Sequence, residues 1–552
     1  MAAINKARPT MRDKAHANFM GGPSYDLSPF ARLYVMACSS FFGEPSYYDN
    51  VRRGDTPKFK SKDSIREHVI SIFGSYGKTM TELSSTNREE AMKKAFEDSL
   101  NYDAELTLKF LGWLRNKAFI RATSAVGLAI AAHSDKVRGT GLLRSAAVDV
   151  FSRMDDVTNC LAYYINTYGK PIPNALKKAM ADRLTRAKEY ELAKYTSNNK
   201  QVSLMDVIRL THANSDAIDK FYRGEISQKT TGQETWEAII SAEGSNHDSW
   251  TKAVGVMGHM ALLRNLRNLE KHEVDPALYL DKLVEGVAKG KQLPFRYYSA
   301  YSNVTSAKIK EALEKCIDAS ITNLPKLPGK SLILVDNSGS ALGAKVSKLS
   351  NVSVSVCGNL MGVLTGLISD SGRIGVFGDR VSYVPINKNF KGTAMEMLRT
   401  VNDVGHTVGG STEHGIWLAL DDIIKSGEHF DRIFIYSDMQ AGHGGLYGRG
   451  NLIERKYDYP SFFGIDGYRR EYIDVPKLVQ TYRNKVNKDC KLYSIQIAGY
   501  ADNILPEFYP NTCILSGWSQ ETLKFVEMYE KGPDKIEDIF RKMFASEGQN
   551  IA

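Results

Sequence analysis

The sequence predicts a multidomain chain in which an all-α helical array is followed by an α/β doubly wound domain. Three observations carry this expectation. Apolar residues recur at i, i+3, i+4 and i+7 nearly throughout from Ser28 to Ile321, as they do on one face of a helix. The stretch Leu324-Pro325-Lys326-Leu327-Pro328-Gly329-Lys330 then interrupts the pattern. Beyond it, short β-rich apolar runs alternate with amphipathic windows, the signature of a parallel sheet covered by helices on both faces. At 552 residues, 43% hydrophobic and 24% charged, the chain excludes disorder, collagen and coiled coil.

Taken in order, residues 1–27 read as an N-terminal tail, 28–323 as the helical domain, 324–330 as a linker and 331–552 as the α/β domain. Helical windows are expected at 88–100, 104–120, 173–195, 204–212, 254–272 and 306–321. They bury one face each against the next in series, which makes a stacked array, although no strict repeat period is visible. Strands are expected at 331–335, 373–377, 432–436, 491–499 and 512–515. Helices are expected between and after them at 393–401, 413–426, 475–486 and 519–530. The uncharged stretch from Leu349 to Ser369 is interrupted by Asn351, Asn359 and several serines, so it reads as a buried segment and not a membrane span.

Charge is distributed unevenly. Residues 1–330 hold 48 basic and 37 acidic side chains, whereas residues 331–552 hold 24 and 26. The excess positive charge, +11, therefore lies entirely in the helical half, where it suits a polyanionic partner. The six cysteines are scattered with no Cys-x-x-Cys and no zinc spacing, and the N-terminus has no apolar signal core, so a reducing cytoplasm is the expected compartment.

Ligands of open α/β sheets collect at the carboxyl ends of strands. Directly after the first strand stands Asp336-Asn337-Ser338-Gly339-Ser340, whose carboxylate and two hydroxyls suit a hard oxygen-ligated cation such as Mg²⁺; by itself the motif reads equally as an Asx turn into a helix. Two further loops join it. Gly409-Gly410-Ser411-Thr412 opens a helix, and Asp438 follows the strand 432–436. This order of loops resembles the metal-ion-dependent adhesion site of von Willebrand factor A domains. The resemblance implies Asp336, Ser338 and Ser340 as first-loop ligands, Thr412 as the second-loop ligand and Asp438 as the third-loop carboxylate. Gly329-Lys330-Ser331 is no phosphate loop, because Leu occupies position 324 where that motif needs Gly, and the strand follows instead of preceding it. The Gly-, Tyr- and Arg-rich segment 442–470 reads either as a surface for single-stranded RNA or as a structured insertion covering the sheet edge.

A helical array followed by such a domain resembles the TROVE family of Ro ribonucleoproteins. Local text supports this at several points in the expected order: Ala31-Arg32-Leu33-Tyr34 with Gly43-Glu44-Pro45-Ser46-Tyr47-Tyr48, Lys194-Tyr195 with Asp206 to His212, Ala261 to Leu266, Leu293-Pro294-Phe295-Arg296 with Ser299-Ala300-Tyr301, and Leu515-Ser516-Gly517-Trp518. The resemblance implies a HEAT-like helical ring, Y-like non-coding RNA on a basic outer surface and single-stranded 3′ ends of misfolded RNA in the central hole. Lys177, Lys178, Arg183, Arg186, Lys188, Lys194 and Lys200, clustered within a short stretch, would supply phosphate contacts. His212 matches the family's RNA-contacting histidine and reads otherwise as an ordinary helix-end residue. Arg264 and Arg267 lie three apart on one helix and either face the hole or brace a neighbouring repeat. Thr196-Ser197-Asn198-Asn199 replaces the family's basic run.

The function these readings imply is a non-enzymatic RNA-binding scaffold for RNA quality control, presenting RNA to an exoribonuclease, with no membrane partner. The alternative is a metal-dependent protein-adhesion scaffold acting through the cation site with no role for RNA. No Ser-His-Asp arrangement, phosphate loop or multi-carboxylate cluster suggests a hydrolase.

Overall fold

The computed structural model describes residues 15–17, 23–39, 88–195, 202–227, 231, 234–290, 292–321, 324–347, 350–386, 392–410, 415–440, 461–463, 469–471, 475–500, 503–505, 510–532 and 535–549. The chain divides into two compact units, 93–322 and 1–92 together with 323–552.

The first unit is helical. Its elements are α2 (Arg88–Tyr102, shared at its start with the other unit), α3 (Ala104–Asn116), α4 (Arg121–His133), α5 (Leu142–Val150), α6 (Met154–Tyr168), α7 (Asn174–Thr185), α8 (Glu189–Lys194), α9 (Leu204–Thr211), α10 (Asp216–Tyr222), α11 (Trp236–Glu243), α12 (His247–Val256), α13 (His259–Lys271), α14 (Leu280–Glu285), α15 (Val287–Gly290), α16 (Pro294–Tyr301) and α17 (Ala307–Ile321). Helices that pack together lie one to three places apart along the chain, such as α4 on α6 and α13 on α16, which is the quasi-one-dimensional packing of stacked repeats.

Side-chain caps set the helix starts: the Asp103 carboxylate accepts from Leu106 N–H, and Ser203 and Asp206 cap each other's backbone at α9. The single helix expected over 173–195 is two, broken at Arg186-Ala187-Lys188, and that over 254–272 is broken at Met257-Gly258. In both places one apolar stripe runs across a corner. Ion pairs tie the early helices together: Arg115 Nη2 lies 2.9 Å from Asp156 Oδ2 and, closer to solvent, Arg121 Nη2 lies 2.9 Å from Asp155 Oδ2.

The second unit is an α/β sandwich. Strands β3 (Leu327–Asp336), β4 (Ser369–Phe377), β5 (Val381–Ile386), β6 (Arg432–Ser437), β9 (Lys491–Gln496) and β10 (Thr512–Ser516) form one sheet in the order β10-β9-β6-β3-β4-β5. All neighbours are parallel except β5, which runs antiparallel to β4 at the edge. The doubly wound expectation thus holds with an added antiparallel edge strand. The pair β1 (Ala15–Ala17) and β2 (Pro23–Tyr25), and the pair β7 (Ser461–Phe463) and β8 (Arg469–Glu471), are separate two-stranded ribbons.

One sheet face is covered by α21 (Gly415–Ser426) and α22 (Val475–Lys485), whose Trp417, Leu420, Leu478 and Tyr482 pack with Leu332, Leu334 and Ile435. The other face receives α19 (Val354–Ile368), buried almost throughout; a Cβ at its Gly362 would collide with Val335, so glycine lets this helix lie directly on the central strand. The remaining helices are α18 (Gly339–Gly343), α20 (Ala394–Gly405), α23 (Glu521–Glu530) and α24 (Ile536–Gln549). The uncharged stretch from Leu349 is therefore mostly a core helix, and among the described residues no helix is long and apolar enough to cross a membrane.

Two boundaries differ from expectation. Leu327 to Lys330, expected as linker, already belong to β3; the register shifts between Leu327 and Lys330, which accommodates Pro328 at a bulge. Helix α1 (Pro29–Cys38), expected to open the helical domain at 28, packs within the α/β unit instead. Tyr34 Oη donates to Ser516 O and accepts from Ser516 N, each at 3.1 Å, and Phe30 meets Phe540 edge to face at 5.4 Å.

Candidate cation centre and nucleic-acid face

The carboxyl ends of β3 and β6, neighbours in the sheet, bring two of the expected loops together. Asp336 ends β3 fully buried; its Oδ1 accepts from Ser338 N at 2.8 Å and its Oδ2 from Ser437 Oγ at 2.7 Å. The backbone of Asp438 also donates to this carboxylate. Burial nonetheless raises the Asp336 pKa above its ordinary range, with these hydrogen bonds pulling the other way. Ser338 and Ser340 face each other with Oγ atoms 3.2 Å apart, and the Ser338 side chain is not spent capping the short helix it precedes. Asp438 is buried, with Oδ1 accepting from Gln440 N at 3.0 Å.

The second loop approaches the first. Backbone bonds from Asp379 N to Gly409 O (3.1 Å) and Arg380 N to Val408 O (3.0 Å) fix its stem to the β4–β5 turn. A Cβ at Gly339 would collide with Gly410 O, so the two loops touch through glycine. Thr412 itself lies outside the described residues.

Among the described residues no group of three His, Cys, Asp or Glu could hold a metal. What the loops offer is two buried carboxylates and two serine hydroxyls, an all-oxygen donor set at strand ends. That set fits a hard divalent cation, whose positive charge would favour the ionised form that burial disfavours at Asp336. Ser437, seen in sequence only as the residue before Asp438, orients the first carboxylate.

The expected RNA-contacting residues separate in the helical unit. Lys178 is exposed and Lys177 half-buried on α7, while Lys194 is exposed with its ammonium 5.7 Å over the Tyr190 ring. Arg186 is exposed and donates through Nε to Asp182 O at 2.9 Å; it lines an open groove of about 590 Å³ with Arg144, Val148 and Asp182. Arg183 turns inward to Phe151 O (2.8 Å) and pairs with Glu191, so it is structural. Lys200 lies outside the described residues, as do most of 442–470 apart from β7 and β8. His212 is exposed and closes α9 in the left-handed conformation (φ 53°).

Helix α13 presents the clearest cationic face. Leu262, Leu263, Leu266 and Leu269 are buried, and the opposite side exposes Met260, Arg264, Arg267 and Lys271. Arg264 and Arg267 therefore point away from the helix's own packing face. Among the described residues, none of these three cations takes part in an ion pair. Lys271 and Met260 escaped sequence reading, although their spacing of four and seven residues from the arginines marks the same face.

Comparison with known proteins places this face in context. A family model described as the TROVE domain matches residues 223–326, which include α13. No curated protein sequence matches the chain. Among solved structures, the crystal structure of the Deinococcus radiodurans RO (RSR) protein is similar with a TM-score of 0.51 at 13% identity, over 91% of this chain and 99% of that one. Residues 223–326 are thus similar to the TROVE domain, and the chain has a fold like that of a Ro protein.

Proposed function

We propose that the chain is a non-coding-RNA-binding protein of the Ro type. The observation that carries this reading is the outward face of α13, where Arg264, Arg267 and Lys271 stand exposed, with no ion pair among the described residues, inside the TROVE-matched segment. Cations left unpaired on one helix face neutralise phosphates, and such contacts bind RNA without reading its sequence. Met260 adds apolar surface beside them for an unstacked base.

On this reading the helical array closes into a ring, and α13 meets single-stranded 3′ ends of misfolded RNA. Lys177, Lys178, Arg186 and Lys194 contact the backbone of structured, Y-like RNA. The uncharged segment 196–199 makes that second contact weaker than in basic relatives. The activity is binding and presentation to an exoribonuclease, in the cytoplasm, with no chemical step. The α/β unit holds Mg²⁺ through Asp336, Ser338, Ser340, Thr412 and Asp438, and a bound ion there would offer an open position to an oxygen of a partner.

Fluorescence anisotropy with two labelled hairpins, one blunt and one with a 3′ single-stranded tail, tests the reading. Tighter binding of the tailed hairpin, weakening steeply with salt, is expected. Equal binding of both would remove the 3′-end role, and absence of binding at low salt would remove the RNA role altogether.

A further inference from the structure

Beneath the first cation loop lies a chain of three amides that neither strand ends nor motif spacing account for. Asn337, inside the loop, and Asn359, on α19, pair reciprocally: Asn337 Nδ2 donates to Asn359 Oδ1 at 2.9 Å and Asn359 Nδ2 donates to Asn337 Oδ1 at 3.0 Å. Asn359 Nδ2 also donates to Asn402 Oδ1, on α20, at 2.8 Å. Asn337 and Asn359 are each 1% exposed. Asn337 is held from its other side as well, its backbone N–H donating to Phe377 O at 2.7 Å.

The path of the chain gives this arrangement its meaning. Helix α20 ends at Gly405, one turn beyond Asn402, and the next five residues lead to Gly410 at the threshold of the second cation loop. A Cβ at Gly405 would collide with Asn337 Oδ1, just as one at Gly339 would collide with Gly410 O. The first loop and the approach to the second therefore touch at two glycine contacts, and the amides run alongside them from α20 through α19 to the first loop.

We infer that Asn337, Asn359 and Asn402 are positioning residues that hold the first donor loop in place against the end of α20 and the chain leading to Gly410, a role that rests on the cation reading above. Amides suit the task. Each offers donor and acceptor together, so a reciprocal pair locks in one geometry where apolar contacts would slide. Being neutral, they also leave the ion to the carboxylates and hydroxyls. A carboxylate at 359 would set acceptor against acceptor at both neighbours.

Calorimetric titration of the full chain with Mn²⁺ tests this, alongside the melting temperature of each ion-free variant. The variants are Asn359→Ala, which breaks the chain of amides, and Gly405→Ala, which wedges the end of α20 away from Asn337 in the first loop. Leu420→Ala, buried on the opposite sheet face, controls for general destabilisation. Loss of partners that orient ligands weakens metal affinity by about 10–100-fold, and that loss is expected in both test variants but not in Leu420→Ala. Wild-type affinity in Asn359→Ala and Gly405→Ala, with wild type binding Mn²⁺ and Asp336→Ala not, would overturn the positioning role alone. No binding by wild type would overturn the cation reading and this inference with it.

Discussion

Replacing Arg264, Arg267 and Lys271 together by Ala should flatten the salt dependence of RNA binding without harming the fold. All three side chains are exposed on α13 and the leucines that pack the helix lie on its other side. Alanine is the best helix former, so stability should change by no more than about 0.5 kcal/mol. Each phosphate contact to a single strand contributes about 0.7 to the slope of log K against log salt, so losing three lowers the slope by about 2. Between about 50 and 200 mM salt, the wild type should then lose roughly 18-fold more affinity than the triple variant. Anisotropy titrations with a 3′-tailed RNA at four salt concentrations measure both slopes. A triple variant that folds normally and keeps the wild-type slope would refute the assignment of this face to RNA.

Other perturbations probe the frame that carries these sites. Arg115→Ala removes the nearest cation from buried Asp156 and leaves it Arg121 at 3.5 Å and the Arg153 backbone N–H at 2.9 Å, so denaturant unfolding should show a loss of about 3 kcal/mol in the helical unit. His259, packed against Gly286, Gly290 and Tyr297, has its pKa pulled down by burial. Its folded pKa is therefore below the unfolded one, and the unfolded chain takes up the proton first. Stability should fall as pH drops below about 6.5, by up to about 1.4 kcal/mol per pH unit, and thermal melts of His259→Gln should lack that component. Mg²⁺ at a hundredfold excess over its Kd should stabilise the α/β unit by about 2.7 kcal/mol. The effect should grow as pH rises through the carboxylate range and vanish in calorimetric scans of Asp336→Ala.

Much of this architecture was legible in the sequence because burial leaves a simple trace. Arg432–Ser437 is buried at every position, and its apolar run at 432–436 marks a strand in the sequence. Arg121–His133 was not assigned, since a helix buried continuously from Thr123 to Ala131 shows no amphipathic period. Val381–Ile386 was missed because Pro385 argues against a strand, which only an edge position tolerates. Periodicity made Pro29–Cys38 a helix but could not say what it packs on, because its partner Ser516 lies 482 residues away.

The same limit governs the sites. Asp336, at the end of one apolar strand, and Asp438, just past another, were legible as candidate ligands because ligands of such sheets gather there. Asn359 sits inside α19 and Asn402 in the last turn of α20, and nothing local links either to Asn337. Charge counting grouped Arg183 with Lys178, yet one caps backbone carbonyls inside the array and the other faces water. Direction, which decides between ion pair and phosphate contact, comes only from tertiary packing.

The central claim is that this chain binds RNA through its TROVE-matched helices. Ultraviolet crosslinking in intact cells, followed by sequencing of the attached RNA and mass spectrometry of the crosslinked peptides, tests it most directly. Structured non-coding RNA attached to peptides within 223–326, with α13 among them, is the expected result. Purified chain with no crosslinked RNA, or with crosslinks confined to the α/β unit, would contradict it.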